Sequence, residues 1–483
     1  MGTIEAGRSK RVLMWVFEIS PDLINELSKS GIDVVAIGHG RFPGIQSFSI
    51  HDLFFGSPGI ARLGVVPAPP EWLDAQWFRL YSCTVQRIGF VPSNTRTDTF
   101  SGGIVPGYDI EDMARVHLSH AMTVLKRLSI DEVWFAHPPH LALDVMLSLA
   151  AQKMGIRVIE FSQVPSIGKF RVRVDDGRSQ VRWDQVPIKP WTRGAFEPNL
   201  FYMNRPKRRA LWRSLLRGVR EVPRRMAEGS WSAVAETLYE WAARLEKRNA
   251  LSRLLERLDP RLSPWVGLRT VLQRRFKVNN GSLERIRDLN TVGNFVYFPL
   301  HLEPELNVHV LGRKFANQLD AIQALHGALP PGWTLLLKEN PKQGYMHRGD
   351  AFYQRLRMFP WVRFVADDMP GSQLLEKCRV VATIIGTAGY EAMLMGKSCI
   401  YFGDAWYAGL PGAYLFEEGI DVEGIAEVMP EKADLDKGIN DLLSGLPDGL
   451  AYPRFACIYE TEDLPTVYRE TARVMASISA AVG

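Results

Sequence analysis

Between Phe295 and Phe402 the chain repeats one pattern, and that pattern limits what it can fold into. The runs 295–300, 333–338, 362–365, 380–385 and 398–402 are short and almost wholly apolar. Stretches with helical spacing separate them, at 314–327, 351–358, 372–378 and 387–395. A run of four to six apolar residues is too short for a buried helix. A strand that is apolar on both faces must also be covered on both faces, so the expected unit is a parallel sheet wrapped in helices. The first part of the chain has the same rhythm. Strands are expected at 12–17, 32–37, 132–136 and 156–161, with helices at 22–28, 114–128 and 141–154. The stretch 42–107 is rich in Pro, Gly, Ser and aromatics, and is expected to form loops and short strands over one sheet edge.

A chain of 483 residues has room for two Rossmann-sized domains and an extra segment. The expected division is a first Rossmann-like domain at 1–190, a basic helical insertion at 191–292, a second Rossmann-like domain at 293–463, and a helix at 464–483 crossing back. With 46% hydrophobic and 23% charged residues the composition is globular rather than disordered. The four cysteines are scattered without a CxxC pair, which argues against a disulfide framework or a zinc ribbon and fits a reducing compartment. The apolar start at 12–17 is closed by Glu18 and reads as a first strand rather than a leader. No stretch reaches the roughly 18 uncharged apolar residues of a membrane span. The formal net charge of +5 is concentrated. In 205–225, eight arginines and Lys207 oppose one acid, Glu221, so this stretch carries +8 and the rest of the chain −3. Leu211, Leu215, Leu216 and Val219 share a helical face there, with Arg213, Arg217 and Arg220 flanking it. Such a helix suits an anionic membrane surface, or packing on its own domain through the leucines. It matches no nucleic-acid module, and no nucleic-acid partner is expected.

Three segments lie at carboxyl ends of expected strands, where open α/β sheets hold their ligands. In the first, His301, Glu303 and Glu305 leave a strand within five positions. Glycosyl transfer with retention can use one carboxylate as nucleophile and a second group for the proton. In the second, Lys338, Asn340 and Pro341 follow an apolar strand; a lysine and an amide suit phosphate or a nucleobase. In the third, Gly386, Thr387 and Gly389 open a helix whose N-terminus favours an anion, and Glu391 sits one turn on, within reach of a ribose diol. The spacing is neither GxGxxG nor a P-loop. Weaker signals are the HxxH pairs His117/His120 and His137/His140, neither with a third metal ligand in evidence, the unspaced Asp367-Asp368, and Ser162 with Gln163 on the acceptor side.

The text YFPLHLEPE, LLLKENP and TIIGTAGYEAMLMGKSCIYFGDAWY resembles the bacterial capsule polysaccharide biosynthesis family. The resemblance covers about a quarter of the chain. It implies a GT-B fold, two Rossmann-type domains facing a cleft, here with an Arg-rich helical insertion. It further implies a retaining Kdo-type transferase that uses a CMP-sugar donor and a surface glycan or glycolipid acceptor at the cytoplasmic face of the inner membrane, with no metal or other cofactor. Carried over by position, Glu305 stands where the family often has aspartate as nucleophile, and His301 where many members have glutamine. Lys338, Asn340 and Pro341 cover the phosphate-binding segment; Thr387 and Glu391, with Gly386 and Gly389, cover the nucleotide segment. Asn340 replaces the family histidine, and asparagine donates a hydrogen bond but carries no proton. Other readings stay open: a UDP- or GDP-hexose donor, another CMP-activated sugar acid, or a non-catalytic GT-B-like scaffold.

Overall fold

The computed structural model describes residues 9–15, 21–38, 44–56, 58–84, 107–164, 168–175, 285–303, 305–340, 343, 350–451 and 464–482. The basic stretch 205–225 and nearly all of the expected insertion lie outside the described residues, as does Pro341. The described residues form two compact units. The first holds those up to Asp175 together with Leu442 onward, and the second runs from Arg285 to Asp441.

In the first unit the elements are β1 (Lys10–Trp15), α1 (Pro21–Lys29), β2 (Ile32–Gly38), β3 (Ser47–Ser49), α2 (Ile50–Phe55), α3 (Pro58–Arg62), α4 (Ala75–Thr84), α5 (Gly107–Arg127), β4 (Glu132–Phe135), α6 (Leu143–Lys153), β5 (Arg157–Gln163) and β6 (Phe170–Val174). The strand order is β3-β2-β1-β4-β5-β6, parallel except for β6. The described part of 42–107 is largely helical, contrary to the expectation of loops and strands. Local capping is one reason: Ser49 accepts from the Asp52 backbone N–H while the Asp52 carboxylate accepts from that of Ser49, which starts α2 despite poor helix formers nearby.

The second unit contains β7 (Arg285–Ile286), β8 (Phe295–Pro299), α7 (Leu306–His309), α8 (Gln318–His326), β9 (Thr334–Lys338), α9 (Asp350–Leu356), β10 (Val362–Val365), α10 (Gly371–Lys377), β11 (Val380–Thr383), α11 (Thr387–Leu394), β12 (Cys399–Tyr401), β13 (Ala413–Leu415), α12 (Val422–Glu427) and α13 (Lys432–Ser444). Its strands are all parallel, in the order β13-β12-β11-β8-β9-β10-β7. The two-faced apolar strands behave as their composition requires. Val296, Phe298, Leu335 and Leu337 enter one core, and Phe295, Tyr297, Leu336 and Val381 enter the other. This unit starts ahead of residue 293, because β7 pairs with β10 at the sheet edge.

The closing helix α14 (Leu464–Ala481) belongs to the first unit. Its Val467, Tyr468, Met475 and Ile478 share a core with Leu23 and Ile24 of α1 and with Val12 and Trp134 of the sheet. A buried carboxylate fastens it. Glu132 accepts from Lys10 (2.9 Å), Arg157 (2.8 Å), the Trp134 indole (2.9 Å) and the Ser479 hydroxyl (2.7 Å). Two cations and two neutral donors satisfy the charge, as burial of a carboxylate demands. Gln163 is similarly occupied: its amide donates to the carbonyls of Lys169 and Gly449 and accepts from Ala451. The strand β5 runs two residues past the expected end at Phe161, so Ser162 and Gln163 are its last two residues. No helix among the described residues is long and apolar enough to cross a membrane.

Candidate functional site

In the second sheet, the chain runs from β8 out to β9 and β10, then returns to the other side of β8 with β11, β12 and β13. The direction of winding reverses between β8 and β11, and ligands of open α/β sheets sit at such a reversal, beyond the carboxyl ends. All three sequence motifs leave the adjacent strands β11, β8 and β9 at that end.

The segment after β8 is held by two buried glutamines. Gln318, first residue of α8, accepts from the His301 N–H (2.7 Å) and donates to the His301 carbonyl (3.1 Å). Gln343 does the same for Glu303, at 2.8 and 2.9 Å. Each amide thus replaces the ladder bonds that the backbone loses on leaving the sheet. His301 and Glu303 are buried and Glu305 is partly buried. Glu305 caps α7 through its carbonyl, which accepts from Val308 and His309, while its carboxylate makes no capping bond.

His301 also reaches across the reversal point. Its Nε2 lies 3.0 Å from the Thr383 hydroxyl at the end of β11, and that oxygen accepts from the Gly386 N–H at 3.0 Å. The first and third motifs are therefore one hydrogen-bonded assembly. The pair also explains the glycine. A side chain on Gly386 would place Cβ 2.7 Å from the Thr383 oxygen and 3.1 Å from the His301 ring. Gly386 caps α11, and its own carbonyl accepts from the Tyr407 hydroxyl at 2.8 Å.

At the end of β9, the Lys338 amine donates to the Asp367 carbonyl at 3.1 Å. Desolvation lowers its pKa, opposed by the nearby carboxylates of Asp367, Asp368 and Glu339. Glu339 is buried and structural, accepting from the Tyr353 hydroxyl and the Asn340 N–H, both at 2.9 Å. The Asn340 carbonyl in turn accepts from Gln343, which links this turn to the Glu303 clasp.

Two residues of the third motif have inward duties that their spacing did not foretell. Gly389 lies against Cys399 and the Tyr407 hydroxyl, so its missing side chain serves helix–strand packing. Glu391 is buried and hydrogen-bonded to Thr387; burial raises the pKa values of Tyr297 and Tyr407, and the charge of Glu391 adds a smaller contribution to each. Its own pKa is raised chiefly by burial. Gly386 and Thr387 remain at the half-buried start of α11, where the first N–H groups of a helix have no intrahelical partner. In the segment after α7, Gly312 lies against Ile384, and the next residue, Arg313, in a left-handed conformation (φ 51°), is 3.7 Å from Asp404.

Sequence reasoning missed Gln318, Gln343, Thr383, Tyr407 and Arg313. Only Thr383 carried a signal, as a hydroxyl closing an otherwise apolar strand three residues before Gly386. The other HxxH pair, His117/His120, is core: His117 pairs with Tyr81 (2.7 Å) and the Phe54 carbonyl (3.1 Å), and His120 with the Leu53 carbonyl (2.6 Å). Asp367 of the unspaced acidic pair is bonded to Arg285.

Residues 269–412 match the family model for capsule polysaccharide biosynthesis protein. No curated protein matches the chain. Among solved structures, the chain is similar to a β-Kdo 2,7 transferase KpsC of Thermosulfurimonas dismutans, at 12% identity over 36% of this chain and 51% of that one (TM-score 0.23). The β-Kdo 2,4 transferase KpsC of the same organism matches at 18% identity over 33% and 46% (TM-score 0.22). A UDP-GlcNAc 2-epimerase from Methanocaldococcus jannaschii matches at 12% identity over 94% and 99% (TM-score 0.22). The matched region spans about half the length of the KpsC chains.

Proposed function

We propose, for a chain whose residues 269–412 belong to the capsule polysaccharide biosynthesis family, that the protein is a glycosyltransferase moving a Kdo-like sugar acid from a CMP donor to a surface polysaccharide or glycolipid. The observation that carries this reading is the His301–Thr383–Gly386 assembly at the winding reversal of the second sheet, with Glu303 and Glu305 on the same segment. In it, an anion-favouring helix start is tied to a carboxylate-bearing strand end.

The chemistry follows from these positions. The donor phosphate lies at the start of α11, drawn by the free N–H groups and dipole, with Lys338 and Asn340 as side-chain donors. The Glu305 carboxylate attacks the anomeric carbon; a C–O bond to Glu305 forms as the C–O bond to phosphate breaks, and CMP leaves with the electron pair. An acceptor hydroxyl then displaces Glu305, and its proton passes to His301 or Glu303. Two inversions give net retention. The Thr383 bond holds the His301 ring for that proton transfer, and Arg313 supplies a cation for the sugar carboxylate. The reaction needs no metal in this scheme. The basic stretch 205–225 recruits the protein to the cytoplasmic face of an anionic membrane, where the acceptor grows.

The test is a screen of CMP-, UDP- and GDP-activated sugars against defined acceptors, with NMR of the product's anomeric configuration. Transfer from a CMP-activated sugar acid with retention is expected. Transfer only from a UDP- or GDP-hexose overturns the donor assignment, and binding of glycan without transfer from any donor overturns the enzyme. Changing Arg213, Arg217 and Arg220 to Glu is expected to release the protein from anionic liposomes, as high salt does. Unchanged liposome binding removes the membrane role from 205–225.

A further inference from the structure

We propose that His137, His140 and Asp144 form a binding site for a divalent transition metal of the zinc type in the first unit. The sequence offered the HxxH pair without a third ligand, and the fold supplies one. One ligand atom from each of the three residues lies within 4.8 Å of the others. The cluster occupies the loop from β4 into α6. The first sheet reverses its winding between β1 and β4, so this loop leaves the sheet at its own ligand-binding position.

The hydrogen bonds fix how the imidazoles present themselves. Nδ1 of His137 is 3.1 Å, and Nδ1 of His140 2.8 Å, from a single acceptor, the Pro138 carbonyl oxygen. A carbonyl only accepts, so each Nδ1 carries its hydrogen and each Nε2 keeps its lone pair. A neutral imidazole that donates from one nitrogen to a backbone carbonyl and offers the other is the state in which histidine ligates metals. The rings are 4.6 Å apart at 73°, held by a loop that Pro138 and Pro139 stiffen.

Asp144 is fully buried at the start of α6. Its two oxygens accept from the backbone N–H groups of His140 (3.0 Å) and Leu141 (2.6 Å). Those bonds orient the carboxylate toward the histidine loop and leave further lone pairs on each oxygen. Two neutral nitrogens and one negative oxygen form a donor set for zinc and its neighbours rather than for magnesium or calcium, which take oxygen ligands. A tetrahedral zinc with bonds of about 2.0–2.1 Å holds its ligand atoms roughly 3.4 Å apart. The ligand atoms, within 4.8 Å of one another, would draw together on binding, and a three-ligand set leaves the fourth position to water or an incoming oxygen ligand.

The test uses full-length protein stripped with a chelator and titrated with ZnCl2 by calorimetry, with stoichiometry by elemental analysis and Co2+ absorption as a second probe. One zinc per chain is expected. His137→Ala and His140→Ala are each expected to weaken it at least ~10-fold and to remove the visible Co2+ bands, with the unfolding midpoint of zinc-free protein unchanged. Asp144→Asn is expected to weaken it as well. Because Asp144 also holds the backbone turn at His140 and Leu141, the histidine variants decide the matter. No stoichiometric zinc, or binding undiminished in both histidine variants, overturns the site.

Discussion

The two sheets of this protein share a winding plan and differ in what they place at the reversal point. In the second, the segments after β8 and β11 carry carboxylates, a lysine nearby, small residues and a helix start, cross-linked by His301 and Thr383. In the first, the segment after β4 carries two imidazoles and a buried aspartate around the Pro138 carbonyl. In the two proposals, the same topology presents a place for an anionic, group-bearing ligand in one unit and for a cation in the other. Topology sets where a ligand goes; the side chains of a few loop residues set its charge.

Four perturbations sharpen that contrast, taken from the largest effect to the smallest. Glu305→Gln is expected to reduce transfer by at least ~10³-fold while CMP affinity changes less than about threefold, as removal of a nucleophile rather than of a binding group requires. Near-normal turnover takes the nucleophile away from this residue. Thr383→Val removes both the His301 bond and the acceptor of the Gly386 N–H. A buried donor left unpaired costs about 1–3 kcal/mol, so a lower melting temperature is expected together with a shifted pH profile of transfer. A shifted melting temperature alone confines Thr383 to a structural role.

The third concerns acid. Burial holds the pKa of His117, in the first unit, down to about 3 from 6.5. A depressed folded pKa means the unfolded chain takes up the proton first. The contribution to stability is complete above pH 6.5 and lost as pH falls toward 3, at up to about 1.4 kcal/mol per pH unit. His117→Gln should flatten that slope in denaturant titrations between pH 7 and 4; an unchanged slope assigns acid sensitivity elsewhere. The fourth has the opposite sign. Burial raises the pKa of Glu391 in the second unit, so the folded state favours the protonated form, and the group's contribution is greatest at low pH and lost as pH rises through the folded pKa. Glu391→Gln is expected to raise the melting temperature at pH 8 by about 2 °C and to change little at pH 4. A loss at pH 8 means that the carboxylate is needed ionised.

Much of this architecture was legible in the residues. The apolar runs became strands because their two-faced composition leaves no alternative to a covered sheet, and motifs placed at their ends fell together because parallel strands all end on one side. What escaped was set by contacts distant in sequence. Gln318 and Gln343 look like ordinary surface amides until the backbone of His301 and Glu303 needs partners. Gly389 and Glu391 share a helix with Gly386 and Thr387, yet the helix turns them inward onto Cys399, Tyr297 and Tyr407, and spacing alone does not say which face is core. The helices of 44–84 were hidden by a composition typical of loops. Asp144, four residues after His140, was within reach of sequence reasoning as the carboxylate nearest the pair.

The central claim is that the start of α11, shaped by Thr383 and His301, receives the nucleotide of the donor. Calorimetric titration of CMP into wild-type protein and Gly386→Val tests it most directly, because a side chain there collides with Thr383 and His301. Saturable CMP binding, tighter than UDP or GDP and weakened at least ~10-fold in the variant with its fold intact, is the predicted result. Equal CMP binding by both proteins contradicts it.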